Sequence, residues 1–159
     1  EILIGLVGSE MCIRDRHFYG EDRLLGIGMS TDEESGVAEG VKITMFDISD
    51  RSDVKEESTL VLDDLYGSHA AYDYKSVLAD PEKNVIGLSG YSQNGESYYL
   101  LTYNRTDRKF ETILQEEVNG NTSQGIRGIY IEDTLYVISG NIIEAYDMNT
   151  GVKSGDIIL

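Results

Sequence analysis

The sequence predicts an all-β chain of short antiparallel strands, and three observations carry that reading. No long stretch places apolar residues at helical spacing, whereas short runs with β-branched and aromatic residues recur between turn signals. Most of these runs are apolar on both faces: in Leu24-Leu-Gly-Ile-Gly-Met29 and Asn84-Val-Ile-Gly-Leu-Ser-Gly90 neither alternate set is polar enough to face water. Such strands need cover on each side, which sheets stacked face to face around an axis provide. A two-strand phrase also appears three times, with a first strand ending in Gly and a second ending in an aromatic residue followed by Asp or Asn. The aromatic is Phe46, Tyr103 or Tyr146, at spacings near the roughly 40 to 50 residues of a propeller blade. The expected architecture is a partial β-propeller of about three antiparallel blades.

In chain order, the first unit has expected strands at 24–29 and 41–48, the latter ending in Phe46-Asp47. A strand at 59–62 follows within an acidic stretch, and another is expected at 76–78. Pro81, in Asp80-Pro-Glu-Lys83, has a fixed φ suited to the second position of a type I turn, so it joins strands and interrupts none. The second unit has strands at 84–89, 97–104 and 110–115, with Asn94-Gly95 and Asn119-Gly120 as tight-turn signals. The third has strands at 128–132, 134–139 and 142–148, punctuated by Gly140-Asn141 and Asn149-Thr-Gly151, and the chain ends inside an apparent strand at Ile157-Ile-Leu159. The approximate units are 17–50, 75–118 and 125–159, with a polar insertion at 51–74 stretching the first interval. Three units are too few for a closed ring, which takes ~4 to 8 blades, so a fragment of a longer propeller is expected.

The 159 residues are 26% charged and 40% hydrophobic with one Pro, the composition of about one soluble domain. Thirteen Lys and Arg against 29 Asp and Glu give a net charge of −16, which repels other polyanions and argues against a nucleic-acid partner. One Cys allows no internal disulfide and no Cys-based zinc site. The apolar start, Glu1-Ile-Leu-Ile-Gly-Leu-Val-Gly8, lacks the basic leader of a secretion signal, and charged residues follow too soon for a cleavage region. Leu6-Val-Gly-Ser-Glu-Met-Cys-Ile-Arg-Asp-Arg16 instead resembles a translated sequencing adapter. Residues 1–16 are therefore expected to be non-native read-through that packs poorly.

From His17 onward several phrases resemble the secreted β-propeller-domain proteins of bacteria and archaea, a family distantly similar to WD40 repeats. They are His17-Phe-Tyr-Gly-Glu-Asp22 before Leu24-Leu-Gly-Ile-Gly28, then Gly40-Val-Lys-Ile-Thr-Met-Phe-Asp-Ile-Ser-Asp50, then Ser68-His-Ala-Ala-Tyr-Asp-Tyr-Lys75, and finally Arg127-Gly-Ile-Tyr-Ile-Glu-Asp-Thr-Leu-Tyr-Val-Ile-Ser139. Tyr74 stands where the family usually has His. The resemblance implies a secreted or cell-surface location and leaves room for a membrane anchor in the full-length protein, with no membrane segment in these residues. It carries no defined activity.

Ser68, His69, Asp73 and Lys75 form the densest polar cluster. One reading makes His69 a base for Ser68 with Asp73 as orienter. No nucleophile-elbow or oxyanion phrase surrounds Ser68, and the favoured reading is a loop entering a strand, with Asp73 and Lys75 pairing or bonding backbone groups. No cofactor is expected. Asp147-Met-Asn149-Thr-Gly151 resembles the start of a calcium loop but has Ile158 where the bidentate Glu belongs, so a hairpin turn is the simpler expectation and calcium the alternative. Tyr91, Tyr98, Tyr99 and Tyr103 could form a carbohydrate- or peptide-binding patch, although strand packing is the plainer account. Asn104-Arg-Thr106 and Asn121-Thr-Ser123 match the glycosylation pattern by chance in a prokaryotic family. The expected function is a non-catalytic binding or scaffold module engaging a protein, a cell-wall polymer or a small ligand. The alternative is a hydrolytic enzyme using Ser68, His69 and Asp73 or a carboxylate-bound metal.

Overall fold

The computed structural model describes residues 11–32, 34–118 and 125–159, in which thirteen strands form three antiparallel sheets. The first sheet runs β1 (Met11–Phe18), β2 (Arg23–Thr31), β3 (Ala38–Asp47) and β4 (Lys55–Leu62) in spatial order. The second comprises β5 (Gly67–Ser68), β6 (Leu78–Asp80), β7 (Val85–Ser92), β8 (Gly95–Asn104) and β9 (Lys109–Glu117), with β5 and β6 pairing successive parts of β7. The third runs β10 (Ile126–Ile131), β11 (Thr134–Ser139), β12 (Ile142–Asp147) and β13 (Lys153–Ile158). The first and third sheets are meanders of sequence neighbours, whose three short connections each cost little closure entropy, and in the second β5 and β6 together stand in the place of a first strand beside β7.

The two-sided apolar character of the strands has its explanation in the middle sheet. Side chains alternate along a strand, so Tyr99, Leu101 and Tyr103 of β8 join a core with Leu25, Ile43 and Met45 of the first sheet. Tyr98 and Leu100 face the other way into a core with Ile126, Leu135 and Tyr146 of the third. The middle sheet is thus covered on both sides by its neighbours. Polar links brace the seams: Tyr19 Oη donates to Asn84 Oδ1 at 3.0 Å, Lys83 Nζ to Asp133 Oδ1 at 3.0 Å, and Tyr130 Oη to Asp80.

The thrice-repeated ending also has a physical cause. Phe46, Tyr103 and Tyr146 are all buried in the cores. The residue after each turns the chain with its side chain: Asp47 Oδ1 accepts from Ser49 N at 2.9 Å, Asn104 Oδ1 from Thr106 N at 3.0 Å, and Asp147 Oδ1 from Thr150 N at 2.8 Å. An aromatic anchor followed by an Asx turn closes the third strand of each sheet and starts the return strand.

Three expectations are corrected. Residues 51–74 are not an insertion between units: 55–62 form β4, whose Leu60, Val61 and Leu62 pair with Ile43, Lys42 and Val41, and Gly67–Ser68 opens the second sheet. The strand expected at 59–62 in fact starts at Lys55, and the charge of its first half, which presents Lys55 and Glu56 to water, hid that start. The strand expected at 76–78 begins only at Leu78, because Tyr74–Ser76 forms a 3₁₀ turn capped by Asp73. Met11–Arg16 do not stand apart from the fold, since they belong to β1 and pair with β2, Met11 opposite Ser30 and Arg16 opposite Gly26. A ladder needs only backbone N–H and C=O groups, which is why side-chain patterning did not reveal it. Residues 1–10, the Asn119-Gly120 turn signal and Asn121-Thr-Ser123 lie outside the described residues. No helix among the described residues is long and apolar enough to cross a membrane.

Candidate functional site

The first strand of the middle sheet is broken. Between β5 and β6 the chain makes two 3₁₀ turns, His69–Ala71 and Tyr74–Ser76, and this detour carries all four residues of the expected polar cluster. It packs against β1 and β2 on one side and β10 on the other, so it lies where the first strands of the three sheets come together.

Each polar residue of the detour has a structural task. Ser68, buried, donates from Oγ to Ser89 O at 2.8 Å and accepts from Ala70 N at 3.1 Å, capping the first turn. Asp73 caps the second, with Oδ1 accepting from Lys75 N at 3.0 Å and Oδ2 from Arg127 Nη2 at 3.1 Å. Lys75 extends over the Tyr74 ring, Nζ 5.7 Å from its centroid. His69 meets neither Ser68 nor Asp73 through its ring nitrogens: Nε2 lies 2.8 Å from Glu96 Oε2 and Nδ1 lies 3.2 Å from Tyr91 Oη. The His69 and Tyr91 rings also tilt against each other at 4.6 Å between centroids. Burial, followed by the neighbouring Glu96 charge, raises the Tyr91 pKa, and both His69 ring nitrogens are engaged, Nε2 by the Glu96 carboxylate and Nδ1 by the Tyr91 hydroxyl. Neither imidazole nitrogen is directed at Ser68, whose own hydroxyl is bonded to Ser89 O and Ala70 N. The arrangement braces a loop and contains no activated nucleophile.

The same detour exposes aromatic surface. Tyr72 is 83% and Tyr74 66% exposed, and Tyr66 just before β5 is 56% exposed. The tyrosines singled out in the sequence behave differently: Tyr98, Tyr99 and Tyr103 are buried, and Tyr91 supports His69. Sequence reasoning missed both the exposed tyrosines and Glu96. Tyr72 and Tyr74 flank Asp73 in a stretch without strand alternation, which was a usable signal, whereas Glu96 reaches His69 only through the β7–β8 hairpin. At the expected calcium phrase, the Asp147 carboxylate is occupied by its own turn, accepting from Asn149 N at 3.0 Å and from the Thr150 N and Oγ1 at 2.8 and 2.9 Å.

Comparison with known proteins agrees with three antiparallel sheets packed face to face. A family described as "Beta propeller domain" matches residues 16–151. The chain belongs to this family. An "Uncharacterized protein" of Archaeoglobus fulgidus is 33% identical to the propeller chain over 143 residues, covering 90% of this chain and 20% of that protein. The chain thus spans about a fifth of its archaeal relative. Among solved structures, Saccharomyces cerevisiae Sqt1 superposes with a TM-score of 0.51 at 11% identity, over 96% of this chain and 48% of that one. The β-propeller domain of the Trilobed protease from Pyrococcus furiosus superposes with a TM-score of 0.51 at 9% identity, over 94% and 43%. At these identities the likeness is one of fold alone.

Proposed function

We propose that this chain is part of a non-catalytic binding or scaffold module of a secreted or cell-surface propeller protein, and that the detour between β5 and β6 is its contact surface. The observation that carries this reading is the contrast within one short segment: Ser68, His69 and Asp73 are consumed by capping and bracing, while Tyr72 and Tyr74 stand out in solvent. Exposed tyrosine offers apolar area with a hydrogen-bonding tip at low entropic cost, which suits contact with a protein, a cell-wall polymer or a small ligand. Blades stand around a central channel in a propeller, and a detour where the first strands converge would present these rings towards that channel. The hydrolytic alternative has no support from the His69 geometry.

The test is a glycan and peptide array probed with the chain and with a Tyr72→Ala/Tyr74→Ala variant. Specific binding that the variant loses by tenfold or more supports the reading. Turnover of an ester or peptide panel that disappears in Ser68→Ala overturns it.

A further inference from the structure

The outward face of the detour differs in charge from the chain as a whole. The protein carries a net charge of −16, yet the ionic groups that stand beside Tyr72 and Tyr74 are mainly cationic. Lys75 is exposed, holds Nζ 5.7 Å from the Tyr74 ring centroid and makes no ion pair among the described residues. Arg127 of β10 reaches the same segment, where Nη2 donates to Asp73 Oδ2 at 3.1 Å while the side chain stays 49% exposed. Of the acids bonded to this segment, Asp73 is spent on Arg127 and on the backbone N–H of Lys75, and Glu96 is turned inward against His69. Two cations against one carboxylate leave a positive point on a strongly acidic protein.

Two independent features therefore meet in one short segment: open tyrosine faces and a cation without a counterion. The contact with the Tyr74 ring keeps the Lys75 ammonium beside that face. The Arg127 guanidinium has donors beyond Nη2 to offer. An anchoring side chain of a peptide takes an enclosed, desolvated pocket, whereas rings exposed by 83% and 66% offer flat faces. A pyranose ring lays its C–H face on such a surface without entering a pocket, and a carboxylate on that ring forms charge-assisted hydrogen bonds with Lys and Arg. The repulsion that disfavours a dense polyphosphate bears less on a sugar carboxylate set among neutral hydroxyls. Screening beyond about 8 Å at physiological salt leaves that contact to the groups beside it.

We propose that the ligand of this surface is a uronic-acid unit of a polysaccharide, its ring stacked on Tyr72 or Tyr74 and its carboxylate held by Lys75 and Arg127. The inference rests on the reading of the detour as a contact surface and adds the charge and chemical class of what it contacts. The tyrosines supply area and the two cations supply selection for the acid over its neutral counterpart, since a sugar without the carboxylate leaves both cations to water.

Calorimetric titration with trigalacturonate, with its fully methyl-esterified form and with β-linked triglucuronate is the test, on the parent chain, Lys75→Gln, Arg127→Gln and Tyr72→Ala/Tyr74→Ala. At least one of the two acids should bind, and for trigalacturonate the preference over the ester should be at least tenfold. Lys75→Gln, an exposed position whose change should leave the urea melt as it is, should lose most of that preference, and the tyrosine variant should bind the acid at least tenfold more weakly. Equal affinity for acid and ester, both lost in the tyrosine variant, overturns the carboxylate inference and leaves the contact surface standing. A preference that Lys75→Gln and Arg127→Gln both leave intact places the carboxylate elsewhere and overturns the assignment. Binding of neither acid at millimolar concentration overturns the uronate class even where an array ligand depends on the two tyrosines. Acid binding that survives the tyrosine variant overturns the contact surface as well.

Discussion

The Tyr98 hydroxyl occupies the space that a side chain at Gly128 would fill: a Cβ built there overlaps the oxygen and stands 2.5 Å from Cζ. Tyr98 belongs to the middle sheet and Gly128 to the first strand of the third, so this tyrosine is a wedge across the seam between two blades. Gly87, on Tyr98's own sheet, clears room on the other side.

Gly128→Ala should therefore cost about 3 kcal/mol or detach the third sheet, because overpacking a closed seam forces backbone shifts. Truncating the wedge should relieve it, so the cost of Gly128→Ala should shrink in a Tyr98→Leu background. Urea melts of the four chains form the double-mutant cycle, and additive effects would contradict the contact.

Tyr98→Phe should behave in the opposite sense. The Tyr98 hydroxyl is buried with no hydrogen-bond partner among the described residues, so removing it should leave stability unchanged or raise it by up to about 1 kcal/mol. A loss of more than that in a urea melt would show a partner that the seam does not display.

Glu57 should make the fold sensitive to acid. Arg23 holds it through Nε at 2.8 Å and Nη2 at 3.2 Å, and Tyr103 Oη donates to it at 2.9 Å across the first seam. The Arg23 hydrogen bond, against the opposing effect of burial, keeps the Glu57 pKa below its ordinary value, and burial followed by the Glu57 hydrogen bond pushes Tyr103 up to about 12. A carboxylate with a depressed folded pKa stabilises fully above its unfolded value of about 4.3 and loses that contribution as pH falls through the folded value. Glu57→Gln should lower stability at pH 7 by about 2 to 3 kcal/mol and flatten its fall below pH 4. An unchanged acid limb in the variant would assign that limb to other carboxylates.

The hairpin after β12 should depend on an acceptor and not on a cation. Asn104 does in the second sheet what Asp147 does in the third, so Asp147→Asn should melt like the parent while Asp147→Ala melts earlier. Adding millimolar calcium or a chelator should move neither midpoint. A calcium-induced rise lost in Asp147→Asn would revive the cation reading.

Much of this architecture was legible because repetition and two-sided apolarity are written in side chains. Phe46, Tyr103 and Tyr146 marked the third strand of every sheet, and Leu24-Leu-Gly-Ile-Gly28 announced a strand with cover on both faces. Edge strands were harder. Lys153–Ile158 exposes most of its side chains and Lys55–Leu62 fully buries only Leu62, and what holds them is a ladder of backbone groups that no pattern of residue types records. The site was legible in position but not in wiring. Ser68, His69, Asp73 and Lys75 do cluster, yet the acid that reaches His69 is Glu96 from a hairpin of the same sheet, and Asp73 turns to Arg127 of the next sheet. Local sequence order cannot rank such partners, because the pairing is decided by how strands stack.

Phosphonate chemistry offers a check on Ser68 independent of any ligand. With its oxygen capping Ala70 and bonded to Ser89, Ser68 should form no adduct with a fluorophosphonate probe in the folded chain, as peptide mapping would show. An adduct at Ser68 that His69→Ala abolishes would restore a nucleophile to the detour.

The central claim is that the detour between β5 and β6 binds and does not catalyse. The most direct measurement is one titration of an array-identified ligand against the parent chain, Ser68→Ala and Tyr72→Ala/Tyr74→Ala, with ligand integrity followed by mass spectrometry. The account predicts intact ligand throughout, near-parental affinity in Ser68→Ala and at least tenfold weaker binding in the tyrosine variant. Ligand consumed by the parent but left whole by Ser68→Ala would contradict it.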